Sequence, residues 1–182
     1  IKSIIFPENS QLISIDKEAF SHSSLESILI PNKVIQIGER AFEFCANLIK
    51  VEFTENSEIT IIEKEIFSNS SIQFFTIPSK VDKLKDGWCY ETPKLTQITI
   101  LPNNSNFQYG DNDKKTILGK SEPKSDNFDV LLFVSRDIDH LTISPTIKYV
   151  NSFSFNCCMN LRELNFPENS ELQLIDKDSF SN

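Results

Sequence analysis

One apolar pattern recurs along the chain and constrains its fold more than any other feature. A Leu or Ile is followed by an apolar residue three positions later and by another five positions later. The sets begin at Ile1, Leu25, Leu48, Ile72, Leu95, Ile138 and Leu161, so successive starts lie 24, 23, 24, 23, 43 and 23 residues apart. Chance would not preserve both offsets in every set. The pattern therefore indicates repeated structural units of nearly constant length.

The length of the repeat indicates the kind of unit. A period of roughly 20–29 residues with this apolar pattern is the signature of a leucine-rich-repeat solenoid. Offsets +3 and +5 share one side of a strand, because side chains alternate along it. We therefore predict an α/β repeat solenoid: a right-handed array with a parallel β-sheet on its concave face, short helical turns opposite and one inserted β-hairpin. The 182 residues are predicted to form a single solenoid segment of about seven turns, truncated at both ends.

A second pattern places a Phe five positions after an apolar residue. The residues concerned are Phe20, Phe42, Phe67, Phe155 and Phe180. We expect each to lie on the short helical turn and to fill the middle of the solenoid, where burial of a large side chain contributes ~1.5–3 kcal/mol. In the fourth repeat Cys89 occupies the Phe position and Trp88 the preceding small-residue position, which predicts irregular packing there.

The spacing of 43 instead of 23 residues leaves an insertion of about 20 residues within 103–137. Two short apolar runs, at 116–118 and 130–134, flank a bend rich in Gly, Pro and Ser. Apolar runs around such a bend are typical of a β-hairpin. We predict that this hairpin leaves the solenoid.

The repeat residues resemble a known family. The strand pattern L-x-x-I-x-I-P, the following V-x-x-I-G and the closing A-F-x-x-C-x-x-L resemble the BspA-like leucine-rich repeats. The phrases FPENSQLISI, LIPNKVIQIGERAF and GKSEPKSDNFDVLLF, with the richness in Asn, Ile, Lys and Phe, resemble the protist surface-antigen branch. The resemblance implies a surface-exposed or secreted protein associated with adhesion. It also implies protein or glycan ligands, among them host-cell or matrix proteins.

Charge and hydropathy argue against two other kinds of partner. The net charge is −8, whereas binding to nucleic acid needs clustered Lys and Arg. The longest uninterrupted apolar run, Val130–Val134, is far short of the ~20 residues needed to cross a bilayer. The chain begins and ends within a repeat, so we expect a segment of a longer array with any export signal or anchor outside it. Nothing in the sequence specifies an oligomeric state.

The four cysteines, Cys45, Cys89, Cys157 and Cys158, are predicted to be buried free thiols. Cys45 and Cys158 occupy the same repeat position four turns apart, which is roughly 19 Å at ~4.8 Å per turn. A disulfide tolerates Cα separations of only ~4.4–6.8 Å. Cys89 lies about two turns from Cys45, and zinc would need four converging ligands. We therefore expect neither a disulfide nor a metal site.

No set of residues predicts catalysis or cofactor binding. Only two histidines occur. Strand alternation would place the side chains of Asp137 and Asp139 on the other face of the strand from that of His140. The segment 119–121, Gly-Lys-Ser, lacks the earlier glycine of a phosphate-binding loop. We expect a chain that is not an enzyme, with no catalytic residues, no cofactor and no metal.

Two N-x-S/T sequons begin at Asn69 and Asn103. In a secreted protein such sequons are acceptor sites for glycans. Matches by chance are frequent in an Asn- and Ser-rich sequence, so both readings stay open.

The outward side of the predicted sheet is the best functional candidate. Offsets +2 and +4 point away from the core, and three apolar residues occur there among polar neighbours. Exposed apolar groups with a polar rim can mark a contact surface. The predicted ligand-binding residues are Ile5, Leu29, Lys50, Glu52, Phe74, Thr76 and Gln97. The alternative is a sheet that is simply solvated or covered by the insertion.

Two functional hypotheses follow. The first is a non-catalytic recognition and adhesion module of a cell-surface or secreted protein, which binds protein or glycan ligands through the concave sheet and the insertion. The second is an intracellular protein-interaction scaffold with a structural role. An export signal or a membrane anchor in the full-length gene would exclude the second.

Overall fold

The computed structural model describes residues 1–181, and the chain divides into two compact units, Ile1–Ser105 and Asn106–Asn182. Both units consist of short strands joined by turns. That all 182 residues form a single solenoid segment stays a prediction.

Unit 1, residues 1–105, is built on a five-stranded parallel sheet. Its strands in spatial order are β1 (Ser3–Ile4), β3 (Ser27–Ile30), β5 (Lys50–Phe53), β7 (Phe74–Ile77) and β9 (Gln97–Ile100). The register aligns the +3 residues of successive repeats, namely Ile4, Ile28, Val51, Phe75 and Ile98. This confirms the repeat alignment and the parallel sheet.

Four repeats of unit 1 also contribute a second, shorter strand. β2 (Ser14–Ile15) pairs in parallel with β4 (Gln36–Ile37), and β6 (Ile61–Ile62) pairs in parallel with β8 (Lys83–Leu84). In each of these strands the second residue is buried and the first is exposed. Unit 1 therefore packs two kinds of strand around one core.

The predicted helical turns are wrong, since residues 1–181 contain no helix. In the first repeat the segment 16–23 is a series of tight turns instead. Every second amide, from Ala19 to Ser23, donates to the carbonyl three residues earlier, and the intervening amides donate to carbonyls of the next repeat. An α-helix would need all of these amides for bonds within the segment. Glu18 and His22 also have a left-handed φ of 58°, which interrupts a helical run.

Phenylalanine rings stack along the core of unit 1, and the full burial of Phe42 and Phe67 confirms their predicted position in its middle. Phe42 lies between Phe20 and Phe67, with ring centroids 5.4 and 5.8 Å away in stacked arrangements. The fourth repeat lacks a Phe at this position, and its Trp88 ring lies 6.3 Å from Phe67 and 5.3 Å from Phe75. Trp88 therefore fills the space of the missing ring, which is the irregular packing expected for this repeat.

Gly38 lies where the backbones of two repeats approach closely. A Cβ atom on Gly38 would lie 2.5 Å from the backbone nitrogen of Lys17 and 2.9 Å from the carbonyl carbon of Asp16. Gly38→Ala is therefore expected to lower the free energy of unfolding by ~1–3 kcal/mol, because the backbones must move apart. Urea denaturation measures the loss. Gly119→Ala is the control, because there the nearest atom belongs to the flexible Leu132 side chain; equal losses would contradict the steric explanation.

Unit 2 contains two sheets within its described residues, 106–181. The smaller sheet pairs β13 (His140–Thr142) in parallel with β15 (Glu163–Asn165). Each of these strands has the same place in its repeat as the strands of the five-stranded sheet have in theirs. The larger sheet has the order β10 (Gln108–Tyr109), β11 (Thr116–Gly119), β12 (Val130–Val134), β14 (Tyr149–Val150) and β16 (Leu174–Ile175). Its first three strands are antiparallel neighbours, whereas β12, β14 and β16 are parallel.

The hairpin predicted in the insertion is confirmed, but the prediction that it leaves the solenoid is wrong. β12 pairs antiparallel with β11 and also in parallel with β14, where Leu131 lies opposite Val150. The amide of Val134 donates to the carbonyl of Ser154 at 3.0 Å, just as the amide of Phe155 donates to the following repeat. β12 is thus both a hairpin strand and the second strand of a repeat, with Val134 in the Phe position.

The core of unit 2 combines hairpin residues with repeat residues. Its buried members are Leu118, Leu131, Val134, Ile143, Ile147, Val150 and Phe155. Arg136 is only 2% exposed, and its guanidinium donates to the carbonyls of Val134 and Ser154 at 3.0 and 3.1 Å. It also lies over the Phe133 ring, 4.7 Å from the centroid. These contacts offset the cost of burying a cation and link β12 to the next repeat.

Ion pairs connect the turn segments of successive repeats in unit 1. Arg40 Nε lies 2.7 Å from Oε2 of Glu65 in the next repeat, and Arg40 Nη1 lies 3.7 Å from Oε1 of Glu18 in the preceding one. Lys64 Nζ lies 3.2 Å from Oε1 of Glu65. Burial raises the pKa of the Glu65 carboxyl, but hydrogen bonds and positive charge from Arg40 and Lys64 outweigh burial. The pKa of Glu65 therefore lies below its ordinary value of 4.5.

The lowered pKa of Glu65 makes this contribution to stability pH-dependent. The stabilisation is present above the unfolded-state pKa of 4.5 and is lost as the pH falls through the lower folded-state pKa. We expect Arg40→Met to reduce the slope of the melting temperature against pH in this acid range, as measured by circular dichroism melts. Lys33→Met is the control, because Lys33 contacts the neutral Gln11 side chain. A slope that Arg40→Met leaves unchanged would contradict the role of this pair.

Candidate ligand-binding face

The outward face of the five-stranded sheet carries the predicted ligand-binding residues. Along β3, Ile28 is 2% exposed and the next residue, Leu29, is 52% exposed. Along β7, Phe75 is 2% exposed and the preceding Phe74 is 39% exposed. Both strands pair with a neighbour on each side. The exposure of Leu29 and Phe74 therefore does not arise from a free sheet edge.

The register places two charged residues between these apolar residues. Leu29 lies opposite Glu52, and Lys50 lies opposite Phe74. Lys50 and Glu52 both lie on β5 and form an ion pair, with Nζ 2.9 Å from Oε2. An exposed pair of this kind contributes about 1 kcal/mol or less to stability. Both groups can therefore turn to a partner at little cost to the fold.

Polar side chains continue the face beyond Phe74. Gln97 on β9 lies opposite Phe74, and Thr76 lies opposite Thr99. Gln97 and Thr99 are exposed, and Thr76 is half-buried. The structure brings six of the seven predicted residues into one surface, the outward patch, formed by Leu29, Lys50, Glu52, Phe74, Thr76 and Gln97.

The seventh predicted residue, Ile5, is 92% exposed and follows β1, which pairs only with β3. Ile5 and Leu29 both line a groove of about 440 Å³, so Ile5 adjoins the outward patch at Leu29. The groove residues with polar side chains lie after the strands and are Glu8, Asn32, Thr54, Glu55 and Asn56. The sequence reasoning missed them because it considered only strand positions. The recurring Glu-Asn of the ENS segments is the signal that could have found three of them, Glu8, Glu55 and Asn56.

The four cysteines are free, with Cys45, Cys89 and Cys157 buried and Cys158 half-buried. Burial raises the pKa of the Cys45 thiol, against a smaller opposing effect of its hydrogen bond with Ser23. Burial also raises the pKa of Cys158, which the positive charge of Arg136 only partly offsets. Thiols with a raised pKa are poor nucleophiles. This environment fits thiols that act as small core residues.

The Asp139 and His140 side chains are in contact, with Oδ1 2.7 Å from Nδ1. The prediction that alternation separates them is wrong, because β13 begins at His140 and Asp139 precedes the regular strand. Asp137 contacts Lys115 instead, at 2.7 Å. In the described part of the chain, no group of three or more His, Cys, Asp or Glu side chains is placed to hold a metal ion.

Both sequon asparagines are exposed and adopt a left-handed φ, 55° at Asn69 and 69° at Asn103. Asn is enriched in this conformation, so turn geometry by itself accounts for Asn at these positions. Glycosylation of Asn69 and Asn103 stays a prediction.

Parallel strands stacked every 23 or 24 residues over columns of Leu, Ile and Phe define a leucine-rich-repeat protein. The chain belongs to the family of the BspA type leucine rich repeat region, which matches residues 1–112 and 127–182 in six copies. The unmatched residues, 113–126, fall in the inserted hairpin. Among curated proteins no match was found. Over residues 1–181, no helix long and apolar enough to cross a membrane is present.

Solved structures of bacterial proteins are similar to this chain. The pneumococcal vaccine antigen PcpA is 28% identical, with a TM-score of 0.81 over 93% of this chain and 40% of its own. A leucine-rich repeat protein from Eubacterium ventriosum is 23% identical, with a TM-score of 0.69 over 89% and 47%. One from Bacteroides ovatus is 17% identical, with a TM-score of 0.52 over 93% and 46%. This chain thus spans less than half the length of each of these proteins.

Proposed function

We propose that this chain is a non-catalytic recognition and adhesion module that binds a protein ligand through the outward patch, on the predicted concave face. The observation that carries the proposal is the exposure of Leu29 and Phe74 on internal strands, with the Lys50–Glu52 ion pair between them. Protein interfaces combine an apolar centre with a polar rim. A few large side chains near the centre supply most of the binding energy.

The chemistry of the outward patch favours a partner with apolar anchors and charged flanks. Leu29 and Phe74 lie two strands apart, roughly 10 Å, which suits two anchors on one partner surface. Lys50 and Glu52 offer one charge of each sign between those anchors. Glu8 and Glu55 line the adjacent groove, so basic residues of the partner are favoured at that end.

A surface-exposed or secreted location, with host-cell or matrix proteins as ligands, is part of the same proposal. Membership of the BspA type family and the likeness to a vaccine antigen support a surface role. The richness in Asn, Ile, Lys and Phe supports the protist branch. Glycan ligands and a contribution of the insertion to binding also belong to this proposal.

The double substitution Leu29→Glu with Phe74→Glu tests the proposal. Because both side chains are exposed, we expect the circular dichroism spectrum and the melting temperature to stay close to those of the parent. Binding is measured to wells coated with fibronectin, laminin, collagen or host-cell membrane proteins. For a coating that the parent binds, affinity is expected to fall by about 100-fold or more, since an anchor residue contributes about 2 kcal/mol or more.

A matched control makes the same change of charge away from the outward patch. Ile35 and Ile61 are 58% and 37% exposed, and they lie before β4 and on β6. The double substitution Ile35→Glu with Ile61→Glu is expected to bind like the parent. Unchanged binding by the Leu29/Phe74 variant would defeat the proposal, and so would an equal loss in the control.

A further inference from the structure

A second cavity lies in unit 2, where the inserted hairpin meets the turns of the following repeats. Its volume of about 350 Å³ falls within the roughly 300–1,000 Å³ of small-molecule sites. Gln108 comes from β10, Asp126 and Asn127 from the hairpin bend, and Lys148 and Glu171 from two later turns. Polar side chains from four separate segments thus converge on one space, the hairpin pocket.

Hydrogen bonds hold the walls of the hairpin pocket in place. Asp129 is only 5% exposed. Its carboxylate accepts hydrogen bonds from the amide and the hydroxyl of Ser121 at 2.9 and 2.8 Å. Its backbone carbonyl accepts from the amide of Lys148 at 2.8 Å. Lys148 Nζ lies between the carboxylates of Asp129 and Glu171, at 3.9 and 4.0 Å. Groups that are already fixed lose little freedom when a ligand binds.

The lining of the hairpin pocket is mostly polar, unlike the mainly apolar lining of most ligand sites. Its carboxylates only accept hydrogen bonds, Lys148 only donates them, and the side-chain amides of Gln108 and Asn127 do both. A hydroxyl group both donates and accepts. A ligand rich in hydroxyl groups can therefore pair with every kind of group in this pocket.

The charge of the hairpin pocket decides whether such a ligand is anionic, cationic or uncharged. The carboxylates of Asp126, Asp129 and Glu171 line the hairpin pocket and outnumber the ammonium groups of Lys148, in the lining, and of Lys120, beside the Phe128 ring. A sulfated or sialylated ligand would be repelled by the excess negative charge. A cationic ligand would meet Lys148, which already lies between two of the carboxylates. We propose that the hairpin pocket binds an uncharged saccharide unit of a glycan. This inference rests on the proposed function as a recognition module and names a ligand class for the insertion.

One aromatic ring supplies the apolar contact that a sugar also needs. Phe128 lines the hairpin pocket, is half-buried and packs against the core of unit 2. The Nζ atom of Lys120 lies 4.8 Å from its ring centroid. The ring is therefore anchored from two sides. The C–H groups of a sugar can gain dispersion contacts with the part of the Phe128 ring that lines the pocket. The surrounding polar groups bind the hydroxyls.

Saturation-transfer NMR on the whole chain tests the proposal with lactose, mannobiose and diacetylchitobiose as uncharged probes and sialyllactose as the acidic counterpart of lactose. We expect at least one uncharged disaccharide to bind and sialyllactose to bind at least about tenfold more weakly than lactose or not at all. The double substitution Asn127→Ala with Glu171→Ala is expected to weaken binding by about tenfold or more, because it removes two of the side chains that would hydrogen-bond the sugar. Both residues are exposed, so the melting temperature should change little. Glu168→Ala, exposed on the same turn outside the pocket, should bind like the parent.

The outcomes separate this proposal from the proposed function. Loss of sugar binding in the Asn127/Glu171 variant, with the Leu29/Phe74 variant unaffected, supports a saccharide site in the hairpin pocket. Absence of binding by all three uncharged probes overturns it, as does sugar binding that survives in the Asn127/Glu171 variant. If trilysine binds and none of the uncharged disaccharides does, the proposal is overturned in favour of a cationic ligand. Failure of the outward patch to bind protein leaves the sugar result standing.

Discussion

Phe42→Ala is expected to lower the free energy of unfolding of this protein by about 3–5 kcal/mol. Phe42 is fully buried and lies in the middle of the ring column, stacked on Phe20 and Phe67. The substitution removes a large apolar side chain and leaves a cavity between two other rings. Those rings belong to neighbouring repeats, whose spacing is fixed by backbone hydrogen bonds, so the cavity cannot close readily. Urea denaturation followed by circular dichroism measures the loss.

Phe44→Ala is the matched control for this prediction. Phe44 lies two residues further on, is 42% exposed and stacks on His22 with centroids 4.6 Å apart. Losing an exposed ring contact of this kind is expected to reduce the stability by about 1 kcal/mol or less. If Phe42→Ala lowers the free energy of unfolding no more than Phe44→Ala does, the ring column does not stabilise the core.

Leu131→Ala is expected to have a comparably large effect, about 2–5 kcal/mol. Leu131 is 1% exposed, lies opposite Val150 and belongs to the buried core of unit 2. The prediction tests whether β12 is a structural strand of a repeat. In a hairpin that projected into solvent, the same substitution would scarcely change the stability.

The neighbouring Leu132→Ala provides a control with the same chemical change in the same strand. Leu132 is only half-buried, because side chains alternate along β12. We expect a loss of about 1 kcal/mol, in line with the smaller apolar area that it buries. Equal losses at Leu131 and Leu132 would contradict the placement of β12 between the hairpin and the repeats.

The core and the outward patch are connected through single strands. On β7, Phe75 packs against Phe53, Phe67 and Trp88, and Phe74 directly before it points outward. A strand held by a packed aromatic core fixes the position of its outward side chains. The outward patch is therefore a preformed surface, which reduces the entropic cost of binding a partner.

Much of the fold could be predicted because the repeat pattern depends only on residues that are close together in the sequence. The offsets +3 and +5 recur with nearly constant spacing, so they determine which residue lies beside which in the next repeat. The pairing of Ser27 with Lys50 and of Phe74 with Gln97 follows from this spacing. Strand alternation also determined that Leu29 and Phe74 would be exposed, since it depends only on position within the strand.

The tertiary structure alone decided three features, because each depends on partners distant in the sequence. The segments around Phe20 and Phe42 are turns and not helices, since their alternate amides bond to the next repeat. β12 is part of a repeat because its other edge pairs with β14, which the local apolar run 130–134 could not specify. The hairpin pocket exists because the bend at 126–129 lies against residues near 148 and 171. The sequence by itself determined the repeat, its register and the inward and outward columns. Contacts between repeats decided how the chain turns and where the insertion packs.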